Sequence, residues 1–357
     1  MAAKRVLMLV AVIAAAGLAL GQDDVLTAVQ VDTPPVLDGS GADPAWAAAK
    51  AHEIGYLKLK LKAVYTGNDI YILATWPDKT FSIVRGGSWL WEGKTWKSTK
   101  STKAKMSEDR IAFLWSMDTP GFGDSGCMVK CHPGAKPPVA YLDVGKADMW
   151  HMKAARSLPA GKASQEGKVI VGDDGQPTSG TFRLVGYSDD KWVGQLTDKS
   201  AKAGGRYGDD GKSTYAANAG KDTTVPKYME KSPSDYIDAM VLLQSEIDSG
   251  EAVKVEELGP VEIGMCWAKY KAVGARVPER ILRKPEGSRA DIRQAGEWKD
   301  GVWVVEFQRS LKTGNPDDVA FDDLKKSYLF GIALMDNAGG EDHEISDTVS
   351  LVFQPAK

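Results

Sequence analysis

Leu57, Leu59 and Leu61 alternate with Lys58, Lys60 and Lys62 in the stretch LKLKLKAVYTGNDIYILATWPD, and a Gly-Asn-Asp turn separates Val64 and Tyr65 from the apolar run Ile70 to Trp76. A side-chain period of two puts the leucines on one face and the lysines on the other, so the spacing predicts a half-buried β-hairpin. Further strands are predicted at 110–115 (RIAFLW), 147–154 (ADMWHMKA), 181–187 (TFRLVGY), 260–270, 302–308, 328–335 and 349–354. Many short strands without helices between them make a mainly β chain, read as a β-sandwich with long loop insertions and a few short helices. The 37 glycines and 17 prolines suit loop-rich β structure, and 11 tryptophans supply a core.

Upstream, VDTPPVLDGSGADPAW (residues 31–46) reads as a strand-turn lead-in, because Asp-Gly and Asp-Pro pairs are turn chemistry. The one helix expected starts in SPSDYIDAMVLLQSE, with Ser232 as N-cap and Pro233 at the first position. The expected organisation is a single domain over residues 22–357, with a loop-rich insertion at about 158–232. No internal repeat divides the chain.

Residues 1–21 carry Lys4 and Arg5, then an apolar stretch from Val6 to Leu20, then small residues before Gln22. That is the pattern of a cleaved secretory signal peptide, and it predicts a periplasmic or otherwise exported protein. The stretch is shorter than the roughly 20 residues that cross a bilayer, and no second one follows, so no integral span is expected in the mature chain. Cleavage would leave 43 basic residues against 48 acidic ones, a net charge of -5. Nucleic-acid binding needs a clustered basic excess, and the one lysine run (Lys94, Lys97, Lys100, Lys103, Lys105) is read as a solvated loop.

Three cysteines are too few, and of the wrong parity, for a disulfide scaffold. Two of them stand in GDSGCMVKCHP: Cys127 and Cys131 are separated by Met128, Val129 and Lys130, and His132 follows directly. Two thiols that add to the vinyl groups of a haem, with an adjacent imidazole for the iron, are the chemistry of c-type attachment; the usual spacing is C-x-x-C-H, and C-x-x-x-C-H is its longer variant. The reading is one covalent haem c, on Cys127 and Cys131, with His132 as the proximal ligand. A small disulfide loop or a zinc site competes with it, although further zinc ligands at finger-like spacing are missing.

A second axial ligand on an electron-transfer haem is normally His or Met. His343, in the polar loop MDNAGGEDHEISD, is the preferred distal candidate, with Met149, Met152 and His151 of MWHMK as alternatives. On a strand, Met149, His151 and Lys153 share one face and Trp150 and Met152 the other. His52 is read as a surface or edge residue, and Cys266, in EIGMCWAKY, as an inert thiol on a buried strand.

The lead-in LDGSGADPAW, the hairpin VYTGNDIYILATWPD, DRIAFLW, ADMWHMKAAR, GEWKDGVWVVEFQRSL and FGIALMDNAGG together resemble the ethylbenzene dehydrogenase-related haem-binding domains. The resemblance implies a β-sandwich akin to family 9 carbohydrate-binding modules, with haem held by loops at one end. The haem subunits of the molybdenum enzymes in that group hold a non-covalent haem with Met and Lys ligands and lack the paired cysteines. GCMVKCH stands in the region that supplies their Met, which puts His132 in its place. The loop that supplies their Lys is matched here by the one carrying His343, so the resemblance implies bis-histidine ligation.

These readings point to an exported c-type cytochrome that passes electrons to or from a redox partner, such as a molybdoenzyme or a membrane quinol-linked complex. A haem-based sensor or enzyme with an open distal site is a second class. A carbohydrate-binding module, with Trp89, Trp91 and Trp96 as a stacking platform, is a third, and it leaves the Cys-His motif unused. No nucleophile-base pairing, Walker loop or dinucleotide fingerprint supports an independent enzymatic activity.

Overall fold

A computed structural model of the protein describes residues 24–356, except 86, 100–106, 125–141, 143, 173–174, 195–205, 222, 268–275 and 339–342. The signal segment, Cys127, Cys131 and His132, and Lys100, Lys103 and Lys105 therefore lie outside the described residues.

The main sheet is built from β1 (Asp24–Gln30), β2 (His52–Ile54), β3 (Leu59–Tyr65), β4 (Asp69–Pro77), β5 (Glu108–Ser116), β6 (Ala147–Lys153), β7 (Lys162–Val171) and β8 (Pro177–Tyr187). It continues with β9 (Asp189–Val193), β10 (Arg206–Gly208), β11 (Arg293–Lys299), β12 (Val302–Ser310), β13 (Tyr328–Ala338), β14 (Glu344–Ile345) and β15 (Val349–Gln354). The strand order is β10-β9-β6-β5-β13-β15-β1-β3-β4-β12-β11-β8-β7, with β2 on β3 and β14 on β13. The mainly β class is as expected. Its strands join into one long, curled sheet whose limbs face each other. Phe113 of β5 meets Phe307 of β12 with ring centroids 5.2 Å apart, although six strand-to-strand steps separate them along the sheet.

The Leu/Lys alternation forms β3, where Leu59, Leu61 and Ala63 are buried while Lys60 is exposed. The alternation fails at Val64 and Tyr65, which are both buried because the lead-in covers the outer face with Trp46, packed against Val64, Tyr71 and Leu73. Glu306 of β12 anchors this cover by accepting from Trp46 Nε1 at 3.0 Å, Gly39 N at 2.7 Å and Asp38 N at 3.0 Å. Gly39 has φ +85°, and a Cβ there would sit 2.6 Å from the Gly296 carbonyl carbon. Gly39→Ala is therefore expected to cost about 3 kcal/mol in chemical denaturation. Gly67→Ala, where a Cβ meets nothing within 4 Å, should be close to neutral.

Three local expectations need correction. The stretch expected as a strand at 260–270 begins as an α-helix, Pro260–Cys266, with Pro at its first turn and Glu262 accepting from Gly259 N. Its Met265 is exposed, and Cys266 is a half-buried free thiol rather than a core one. The other expected helix is two short ones, α1 (Tyr236–Met240) and α2 (Gln244–Ser249), and its N-cap is Asp235, not Ser232. The stretch at 158–232 carries β7 to β10, so a large part of the presumed insertion is sheet.

Candidate functional site

Strands β5 and β6 pair antiparallel from Arg110↔Lys153 to Ser116↔Ala147, and the connection between them, residues 117–146, carries the Cys-His motif. The two faces of this hairpin differ. Ile111, Phe113, Trp115, Trp150 and Met152 point into the core between the limbs. Arg110, Ala112, Leu114, Met149, His151 and Lys153 alternate onto the outer face. The described ends of the connection, Phe122 and Leu142, pack there with Leu114, Met149, Ala147 and Val193.

Register places a bed of small residues on this outer face. His151, Ala112, Ala333 and Ile345 lie in one row across four strands, and Met149, Leu114 and Gly331 in the next. The face is covered: Ala112, Leu114, Met149, Ala333 and Met335 are all buried. His151 is 4% exposed, and its Nε2 has no hydrogen-bond partner. Burial, reinforced by Lys153, Arg110, Lys191 and Arg156, holds its pKa well below the usual histidine value, so the imidazole is neutral. A neutral, buried imidazole with an orphaned nitrogen is the form that binds a metal.

Beside His151 stands an excess of positive charge. Asp189 pairs with Lys153, with Lys191 at 2.8 Å and with Arg289 at 2.6 Å. Glu108 pairs with Arg156 at 2.5 Å and with Arg85 at 3.7 Å. Two carboxylates thus face five basic side chains in a largely buried cluster, and burial together with Lys191 and Arg156 holds the pKa of one of them, Lys153, well below the usual lysine value.

The other expected ligands are spread out. Met149 is on the outer face among the residues that flank the motif connection, whereas Met152 is fully buried in the inner core. His343 is half-buried, in a cleft of about 820 Å³ lined by Tyr56, Lys58, Trp76, Asp78 and Asp336. Phe330 pairs with Trp115 at one end of β13 and Ala338 with Glu108 at the other. His343 thus stands near the level of Met335, about 20 Å along the strand from the anchors of the motif connection at 3.3 Å per residue. Met335, a soft ligand type on the same covered face, escaped the sequence reading because only the pairing of β13 with β5 brings it there.

Trp89 is buried and donates to Asn218 O, and Trp91 packs on Trp96 at 5.2 Å; these are packing roles rather than an open platform. Among the described residues no helix is long and apolar enough to cross a membrane.

A large curled β-sheet with a few short helices defines a mainly β domain, and its β5–β6 connection carries the Cys-His motif. Within that class, the family model of ethylbenzene dehydrogenase matches residues 28–345, from β1 through β14, and the chain belongs to this family. No curated protein sequence matches it.

Proposed function

We propose that the protein is an exported c-type cytochrome that carries one covalent haem on Cys127 and Cys131, with His132 as proximal ligand, and exchanges electrons with a redox partner. The observation that carries the reading is the C-x-x-x-C-H motif in the β5–β6 connection, whose described ends pack onto the face that holds His151 with its unpartnered Nε2. Family membership agrees with a redox role, and a molybdoenzyme or a membrane quinol-linked complex is the proposed kind of partner. A haem held there supplies one-electron Fe(III)/Fe(II) chemistry.

The chain's own residues divide the work. The Cys127 and Cys131 thiols supply attachment and His132 the proximal nitrogen. For the distal position we place His151 ahead of His343, because it is buried, neutral and closer to the motif connection. Ala112, Leu114, Met149, Ala333 and Met335, all buried, keep water from this face. A haem held by both His132 and His151 would supply electron transfer rather than oxygen chemistry.

A reversible redox titration of the purified mature protein, with carbon monoxide added to the reduced form, tests this function. The expected result is one electron per chain and no carbon monoxide binding. Avid carbon monoxide binding would instead favour the open-site sensor or enzyme.

A further inference from the structure

Behind the outer face, on the core side of β6, a group of acids has no visible reason to be buried. Asp148 of β6, Asp190 of β9 and Asp318 of the β12–β13 loop bring carboxylate oxygens within 4.8 Å of one another, and all three are buried. Asp209, which follows β10, is buried as well and close enough to act on the charge of Asp190.

The hydrogen bonds divide these oxygens into two sets. Asp148 Oδ2 accepts from Arg309 Nη1 at 2.6 Å, Trp150 Nε1 at 3.0 Å and Val319 N at 3.1 Å, whereas its Oδ1 receives no donor. Asp190 is 0% exposed, and neither of its oxygens has a partner. Both oxygens of Asp318 and Oδ1 of Asp209 also receive no nitrogen or hydroxyl donor, while Asp318 lies within hydrogen-bond reach of the Asp291 carboxyl. Buried carboxylate oxygens are normally satisfied, because each orphan costs its full desolvation. Here one oxygen of Asp148, both of Asp190 and both of Asp318 receive no donor, and one oxygen of each residue lies within 4.8 Å of the others, with Arg309 bonded to Asp148.

We propose that Asp148, Asp190, Asp318 and Asp209 form a structural Ca²⁺ site that ties β6, β9, the turn after β10 and the β12–β13 loop together. All the donors are hard oxygens: Asp148, Asp190 and Asp318 bring three together, and bidentate carboxylates with Asp209 would raise the number towards the six to eight that Ca²⁺ takes at 2.3–2.6 Å. A Mg²⁺ ion would keep several waters in a strict octahedron, which a dry cluster of protein carboxylates does not provide.

The test uses the purified mature protein, stripped with EDTA and titrated with CaCl₂. One Ca²⁺ per chain by elemental analysis is expected, with a melting temperature about 5 °C or more higher at a hundredfold excess over Kd. Asp190→Asn should lose the response to Ca²⁺ and yet be at least as stable as the wild type in EDTA, because it removes an uncompensated charge. Asp209→Asn, at the edge of the cluster, should weaken binding about tenfold and serves if Asp190→Asn does not fold. No bound Ca²⁺ with a melting point indifferent to CaCl₂, an Asp190→Asn protein that responds like the wild type, or a response to MgCl₂ alone would each overturn the assignment.

Discussion

His151→Ala is expected to leave the haem covalently attached while converting its iron from six-coordinate low-spin to a high-spin form that binds carbon monoxide. The same change at His343 should alter neither property. His151 lies on the face onto which the ends of the motif connection pack, and its Nε2 is buried without a partner, whereas His343 is half-buried and stands two residues further along the strand direction from that connection. His151→Met supplies a softer donor at the same place and should restore the low-spin state with a potential higher by on the order of 100 mV. Near-infrared and electron paramagnetic resonance spectra of the three variants check this. A wild-type spectrum from His151→Ala, or loss of the low-spin form in His343→Ala, would return the distal role to the late loop.

Arg309→Leu should have the largest effect on folding, a loss of about 3–5 kcal/mol, measured by urea denaturation in EDTA. The guanidinium is fully buried, lies 4.8 Å over the Trp150 ring and 5.3 Å over Phe321, and bonds Asp148 and the Val319 carbonyl. Deleting it leaves a buried carboxylate group without its positive partner, which costs far more than the lost contacts. Saturating Ca²⁺ should recover part of the loss, since the ion answers the same charge. A loss below 1 kcal/mol in EDTA would mean that the carboxylates are already protonated and that Arg309 is a packing residue.

What the sequence made legible follows from the range of each interaction. The β3–β4 hairpin was readable because Leu59, Leu61 and the Gly-Asn-Asp turn act over a few residues. The lead-in was readable as turns. Its purpose was not, since Glu306, which accepts from Gly39 and Trp46, lies 260 or more positions away. The helix Pro260–Cys266 was mistaken for a strand because an apolar run outweighed a local signal that was present: Pro at the first turn and Glu three residues after Gly259.

At the candidate site the Cys-x-x-x-Cys-His motif stands in the sequence by itself, but the distal ligand proposed to go with it does not. The alternation of Met149, His151 and Lys153 on one face was legible, and the structure shows that face covered. The level of His343 relative to the described ends of the β5–β6 connection depends on the register of β13 against β5, a pairing more than 200 residues apart that no local pattern encodes. The four aspartates were equally silent, because Asp148, Asp190, Asp209 and Asp318 come from separate segments that meet only when the sheet curls.

Covalent attachment through Cys127 and Cys131 is the claim on which the functional account rests. The direct measurement is haem staining of a denaturing gel, together with a pyridine haemochrome spectrum, for protein exported in cells that carry haem-maturation machinery. The wild type should show haem migrating with the chain and the haemochrome of a doubly thioether-linked haem, and Cys127→Ala/Cys131→Ala should show no stain on the chain. Haem that separates from the wild-type chain on denaturation, or stain that survives in the double variant, would contradict it.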